Sequence, residues 1–275
     1  MIDNKIIQYF KDNIKQINKG FERRDLDILI RYTFDNKKYH YIKNSYNDSY
    51  RLSVLKFAIR RRLANEPISQ IIGFRNFWNS TFYVDKNVLD PRPETELIVE
   101  KVLELPSNNL SLIDLGTGSG CIAISIARER PNFEVFASDI SSDALKIAKK
   151  NSKLYQTSIN FIKSDWFAKI NRKFDVIIAN PPYISKNEYY NLPLCIRRFE
   201  PKIALFAGSE GLDCFKIIIN QFFKYLRPKG MLFLEIGSTQ KKMIEKIFLY
   251  NGFKKIEFFN DLSGKYRLVC VKKDA

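Results

Sequence analysis

Asn180-Pro181-Pro182-Tyr183 follows directly on the apolar run Phe174-Asp175-Val176-Ile177-Ile178-Ala179. The pattern reads as a strand that ends in a stiff, polar-mouthed turn, the place where an open α/β sheet carries its chemistry. Pro182 fixes its own φ, and each proline pushes the residue before it toward extended geometry, so the Asn180 side chain and the neighbouring carbonyls are held in place. The Asn180 amide oxygen and the Pro181 carbonyl then offer two acceptors to both N–H bonds of a planar NH2 group, with the Tyr183 ring as a stacking face. Such a turn suits a conjugated, poorly nucleophilic nitrogen.

A second constellation lies upstream, in Leu112-Ile113-Asp114-Leu115-Gly116-Thr117-Gly118-Ser119-Gly120-Cys121-Ile122. This is a strand, a glycine-rich turn and a helix start, and it lets a ligand lie against backbone at a helix N-terminus. Its G-x-G-x-G spacing departs from the G-x-G-x-x-G of dinucleotide sites. Asp114 at the strand end would repel a pyrophosphate and attract a cation, which favours S-adenosylmethionine with its ammonium and sulfonium. Asp139 closes the next strand 25 residues later, where a carboxylate accepts both ribose hydroxyls or else caps the helix that begins near Ser141. Asp165-Trp166-Phe167 follows the third strand, with Asp165 an acceptor for an adenine amino group and Trp166 or Phe167 an apolar wall, or simply core. Methyl transfer to a nitrogen held by Asn180 needs positioning more than acid or base catalysis, in keeping with the single histidine, His40. Adenine N6, cytosine N4 and a glutamine side chain satisfy this chemistry equally.

The elements that must position these residues alternate. Strands are expected at 111–115, 134–138, 158–162, 174–179, 231–236, 254–259 and 266–271, and helices at 119–130, 141–152, 212–226 and 239–250, which makes an α/β domain with a mostly parallel sheet. The last two strands lie close enough to form a hairpin, adding an antiparallel edge. Upstream, residues 72–89 break the helical period and read as a short hairpin. They lead into Asp90-Pro91-Arg92-Pro93-Glu94-Thr95-Glu96, where Pro93 suits a first helical turn whose acidic residues complement the dipole. The first 65 or so residues look helical. Ile6, Ile7, Phe10, Ile14 and Ile17 share one period, Arg23–Phe34 and Ser49–Leu63 supply two further candidates, and Arg60-Arg61-Arg62 is either a partner-binding patch or a solvated helix end.

Composition sets outer limits. The 275 residues suffice for one large or two modest domains, and no apolar stretch has the length of a membrane span, so a soluble intracellular protein is expected. Cys121, Cys195, Cys214 and Cys270 have no C-x-x-C spacing, which argues against a structural metal. The net charge is +16, half of it in residues 1–80, which hold 16 Lys or Arg against 8 Asp or Glu. A positive surface steers nucleic acid or nucleoprotein, but charge alone does not establish recognition.

GFRNFW at 73–78, PRPETE at 91–96, DLGTGSG at 114–120, SDIS at 138–141, SDWF at 164–167, NPPY at 180–183, LEIG at 234–237 and DLSGKYR at 261–267 together resemble the protein-(glutamine-N5) methyltransferases that modify class I peptide chain release factors. NPPY alone is shared with DNA adenine methyltransferases; its pairing with PRPETE and a helical N-terminus is what points to this family. The resemblance implies a helical substrate-binding domain over 1–71, a β-hairpin linker over 72–90 and a seven-stranded, Rossmann-like class I methyltransferase domain over 91–275. It implies S-adenosylmethionine as donor, S-adenosylhomocysteine as product, and the glutamine of a Gly-Gly-Gln loop as acceptor. Gly116, Thr117, Gly118, Ser119 and Gly120 would line the donor, Asp139 would hold its ribose and Trp166 would pack near its adenine. Asn180 would touch donor and acceptor, with Pro181, Pro182 and Tyr183 completing the glutamine site. A cytoplasmic monomer acting on release factors is implied, with no metal, no membrane and no stable nucleic-acid complex. The chain departs from the family pattern at Asp90, where an apolar residue usually precedes PRPETE; a place at the rim of the substrate cleft is the expectation.

Overall fold

The computed structural model describes residues 23–34, 48–106 and 109–274. The helix candidate built on Ile6 to Ile17, and His40, lie outside the described residues. The chain divides into two compact units, one of residues 1–73 with 193–199 and one of residues 74–192 with 200–275.

In the first unit, helices Arg23–Phe34, Asp48–Leu63 and Ile68–Ile72 meet around Leu26, Leu29, Leu55, Ala58, Ile59 and Ile71, the apolar stripe that helical spacing sets up. Gly73 ends the third helix in the left-handed conformation. The short helix Leu194–Phe199 belongs to this unit, where the Gln70 amide donates to the Phe199 carbonyl at 2.7 Å. Two of the three consecutive arginines are committed internally, Arg61 to Glu66 and Arg62 to Asp25, both at 2.7 Å. Arg60 is the exposed member of the run.

The second unit opens with a hairpin, β1 (Phe74–Phe77) and β2 (Ser80–Tyr83), turning at Trp78-Asn79. Side chains fasten it from outside the ladder. Glu96 accepts the Trp78 N–H, the Tyr155 hydroxyl accepts that of Thr81, and Asn151 Oδ1 accepts that of Tyr83, each at 2.7 Å.

Seven strands then form one sheet, β3 (Ser111–Leu115), β4 (Glu134–Asp139), β5 (Ile159–Lys163), β6 (Phe174–Ala179), β7 (Leu226–Glu235), β8 (Ile256–Asn260) and β9 (Tyr266–Lys272), in the order β5-β4-β3-β6-β7-β9-β8. The expected α/β class with a mostly parallel sheet is what forms, and only β9 runs antiparallel to its neighbours. β3 is buried along its whole length and β6 nearly so, as befits central strands covered on both faces. Two apolar clusters, one around Phe167, Phe215, Phe222 and Phe248 and the other around Phe77, Phe82, Ile124 and Phe233, supply those covers.

The last two strands form the expected hairpin, and the sheet adds its order to that expectation. β9 inserts between β7 and β8, so the last strand is interior and β8 is the edge. The reason lies in the side chains. Leu268-Val269-Cys270-Val271 is a continuous apolar run that a doubly covered position rewards, whereas Ile256-Glu257-Phe258-Phe259-Asn260 carries polar residues toward solvent. Pro93 opens a single 3-10 turn, Pro93–Thr95, ahead of helix Glu96–Leu103, and short helices not expected from periodicity occur at Lys186–Asn191 and Leu194–Phe199. No helix among the described residues is long and apolar enough to cross a membrane.

Candidate active site

Sheet register brings the two constellations together. After β3 the chain moves outward through β4 and β5, then returns to place β6 on the other side of β3, so the strand order reverses between β3 and β6. Leu115 pairs with both Ser138 and Ala179, and Ala179 pairs in turn with Leu234. Gly116, Asp139, Asn180 and Glu235 therefore leave four adjacent strands at the same end. A cavity of about 250 Å3 opens there, lined among others by Gly118, Asp139, Trp166, Asn180, Pro182 and Thr95.

The glycine loop is held from beneath. Thr117 donates its N–H to the Ser138 carbonyl at 2.9 Å and its hydroxyl to Asp114 at 2.6 Å, while Asn151 donates to the Ser119 carbonyl at 2.8 Å. Gly118 has φ +56°, and a Cβ there would meet nothing within 4 Å, so the backbone is bare toward the cavity. Gly120 has φ +82°, and its Cβ would come within 2.9 Å of Ile124 and 3.2 Å of Ala148, so its absence lets two helices close up. Thr117, Ser119 and Gly120 are buried supports, whereas Gly116 and Gly118 reach the cavity. Asp114 does not reach it. It is fully buried under the loop, and its Oδ1 has no hydrogen-bond partner among the described residues.

Asp139 occupies the cavity wall with each oxygen already fixing backbone. Oδ2 accepts the Gly118 N–H at 2.9 Å and Oδ1 the Ser141 N–H at 2.8 Å. Each oxygen retains a lone pair. The cap of helix Ser142–Leu154 is made by Ser141, whose hydroxyl accepts the Ala144 N–H at 3.1 Å, so Asp139 is not needed for that task. Across the cavity Trp166 adopts φ +43°, pinned by the Ser164 hydroxyl, which donates to its carbonyl at 2.9 Å. Its ring lies beside Gly116. Phe167 turns the other way, stacking on Tyr225 in the core with ring centroids 4.5 Å apart.

Asn180 donates through Nδ2 to the Thr95 hydroxyl oxygen at 3.1 Å, which leaves Oδ1 for an incoming donor. Thr95 is 2% exposed. Pro182 lines the cavity, while Pro181 is buried behind it and the Tyr183 ring packs against the apolar core. The Tyr183 carbonyl accepts from Gln240 at 3.0 Å, and burial pushes its hydroxyl well above the usual phenol range. Tyr183 is thus a support behind the turn and not a wall of this cavity.

Arg92 reaches both oxygens of Glu200, at 2.6 and 2.7 Å. Asp90 is 5% exposed, with a carboxylate oxygen 3.8 Å from Arg75 Nε and Arg92 close by. It therefore sits within a buried charge network and not at a rim, which explains how the chain tolerates a charge before PRPETE: two arginines flank it. Glu200→Ala is expected to strand the Arg92 guanidinium and destabilise the fold by about 2 kcal/mol, discounted for the partial exposure of Arg92; urea unfolding would measure this.

The profile of the Methyltransferase small domain family matches residues 86–193. The release factor glutamine methyltransferase of Thermodesulfovibrio yellowstonii is 37% identical over 271 residues, covering 95% of this chain and 97% of that protein. The chain belongs to the release factor glutamine methyltransferase family. A bifunctional methyltransferase of Rickettsia prowazekii is 36% identical over 97% of this chain and 56% of its own length, so the chain spans just over half of that longer relative. A methyltransferase structure from Pyrococcus furiosus, 18% identical, superposes with a TM-score of 0.55 over 80% of this chain and all of that one, a likeness of fold.

Two residues of the site escaped the sequence reading of this family member. In the sequence, the two prolines present Arg92, Glu94 and Thr95 at a defined place without giving Thr95 a role, and Glu235 of LEIG carries no assignment. Glu235 is 2% exposed at the end of β7. Burial pushes both Glu235 and Asp114 up to about 7. The Thr95 hydroxyl opposes the shift at Glu235 through a hydrogen bond, and the Thr117 hydroxyl does so at Asp114.

A carboxyl whose folded pKa exceeds its unfolded one binds its proton more tightly when folded. Its contribution to stability is complete below the unfolded value and is lost as pH rises through the folded value. Each of these two groups is expected to lower unfolding free energy by up to about 1.4 kcal/mol per pH unit between about pH 5 and 7. Thermal unfolding across that range should show a shallower decline in Asp114→Asn than in the unaltered protein.

Proposed function

We propose that this chain transfers a methyl group from S-adenosylmethionine to the side-chain amide nitrogen, N5, of the glutamine in the Gly-Gly-Gln motif of class I peptide chain release factors. The observation that carries the reading is that Asp139, the bare backbone at Gly118 and the amide of Asn180 line one cavity. Membership in the release factor glutamine methyltransferase family supports glutamine over adenine or cytosine as the acceptor. The proposed partner is a release factor, met in the cytoplasm where translation terminates.

The cavity fits the donor by the chemistry of its walls. Asp139 keeps a lone pair on each oxygen for a ribose diol, Gly116 and Gly118 let the ligand lie against backbone, and Trp166 with Asp165 provides a flat wall and an acceptor for an adenine. When bound, S-adenosylmethionine would supply a methyl group already activated by its sulfonium. The chain's own task is the acceptor nitrogen, whose lone pair is delocalised into the amide. Asn180 Oδ1 and the Pro181 carbonyl would accept its two N–H bonds, align the nitrogen with the methyl group and raise electron density on it. The proton is then released to solvent. Pro181 and Pro182 hold this geometry, and Tyr183 anchors the turn from the core.

Incubation with a Gly-Gly-Gln-bearing release factor and labelled donor, followed by mass spectrometry, tests the proposal. One added methyl on that glutamine is expected. Its absence, or label appearing in RNA or DNA instead, overturns the reading.

A further inference from the structure

An Asn side chain presents an oxygen on one side and an NH2 on the other, and the two are close to equal in shape. Whether Asn180 accepts or donates toward a substrate therefore depends on what holds its other end. In this protein the Nδ2 group meets the Thr95 hydroxyl at 3.1 Å. A hydroxyl has one proton and can face either way. What decides its sense is Glu235, which sheet register places next to Asn180, since Ala179 pairs with Leu234. Glu235 is buried, its Oε2 has no hydrogen-bond partner among the described residues, and the Thr95 hydroxyl stands close enough to it to favour its charged form.

We propose that Thr95 and Glu235 are positioning residues that lock the Asn180 amide with its oxygen toward the acceptor nitrogen. An ionised Glu235 can only accept, so the Thr95 proton goes to it and the Thr95 oxygen must accept. The one donor able to satisfy that oxygen is Asn180 Nδ2, and Oδ1 is thereby aimed away from Thr95 into the cavity. A protonated Glu235 removes the constraint, because it can donate to Thr95 and free the Thr95 proton for Asn180 Oδ1, which reverses the clamp. The inference rests on the methyl-transfer reading above for its purpose, though not for its geometry.

The groups facing Glu235 come from several elements. Arg267 on β9 and Arg92 before helix Glu96–Leu103 favour its charge, and Glu94 disfavours it. Tyr183, kept neutral by burial, also lies near. Arg267 is itself paired with Asp261 at 3.3 Å, so it is not free to neutralise Glu235 alone.

Two measurements test this. In the first, turnover on a Gly-Gly-Gln substrate is expected to fall about 10- to 100-fold in Thr95→Val, with donor Kd within about twofold, and to return nearly to normal in Thr95→Ser, which keeps the hydroxyl. The kcat of the unaltered enzyme should rise through about pH 7, and Glu235→Gln should flatten that rise. Equal losses in Val and Ser variants, or an unchanged pH profile in Glu235→Gln, overturn the proposal. The second needs no substrate. The side-chain NH2 resonances of Asn180, assigned by their loss in Asn180→Ala, should be protected from exchange at about pH 8 and lose that protection in Thr95→Val. Protection unaffected by Thr95→Val refutes the lock even if methylation proceeds. Protection that behaves as expected while no glutamine is methylated refutes the functional reading and keeps the lock.

Discussion

Asn180→Ala is expected to lower methyl transfer by about 1000-fold while donor affinity changes by less than about tenfold. The asymmetry follows from where the side chain sits. Asn180 shares the cavity with Asp139, yet its Nδ2 is spent on Thr95, so in the proposed reaction Oδ1 is the atom that would meet the acceptor nitrogen. That bond strengthens as the nitrogen loses conjugation and gains positive character, and an interaction stronger in the transition state appears in kcat. Alanine also leaves the Thr95 hydroxyl oxygen without its donor, a loss felt behind the site and not at the donor's ribose. Single-turnover kinetics combined with calorimetric titration of the donor would separate the two quantities. An equal loss of donor binding and turnover would show that Asn180 serves the donor instead.

Asp139→Ala is expected to show the complementary pattern, a donor Kd raised by about 100-fold or more. Each charge-assisted hydrogen bond to a hydroxyl contributes about 1.5–3 kcal/mol, and every 1.4 kcal/mol is about tenfold in affinity. The carboxylate also holds Gly118 and Ser141 in place through bonds of 2.9 and 2.8 Å, so alanine loosens the loop as well as removing the acceptors. Asp139→Asn retains one acceptor oxygen and should fall between the two. Quenching of Trp166, which lines the same cavity, provides a direct readout of donor binding. With saturating donor, turnover in Asp139→Ala should recover most of its loss. Failure to recover would mean that the loop, and with it the methyl position, had been displaced.

The residues that sequence alone marked out are those whose signal is local. A glycine-rich turn after a buried strand, an aspartate closing the next strand and a proline-stiffened turn after the fourth can be read from side-chain period and backbone chemistry within about ten residues each. Their convergence also follows from the alternation of strands and helices, because a parallel sheet places every strand's carboxyl end on the same side. The division of labour inside the glycine loop was not legible. Gly118 faces the cavity while Gly120 faces Ile124 and Ala148, and nothing in G-x-G-x-G distinguishes them.

The sequence by itself determined the α/β class, the order of elements and the chemistry of the two turns, because hydrophobic period and glycine or proline conformation act over a few residues. Tertiary structure alone decided three other matters. β9 entered the sheet between β7 and β8 because burial rewards its unbroken apolar run. Asp90 became an interior charge because Arg75 and Arg92 arrive beside it. Thr95 and Glu235 came to flank Asn180 because the fold packs the Pro93–Thr95 turn against a residue 85 positions later and strand pairing sets the end of β7 beside the end of β6. Such contacts depend on distances in space between groups that carry no sequence signal of one another, and only the folded register supplies them.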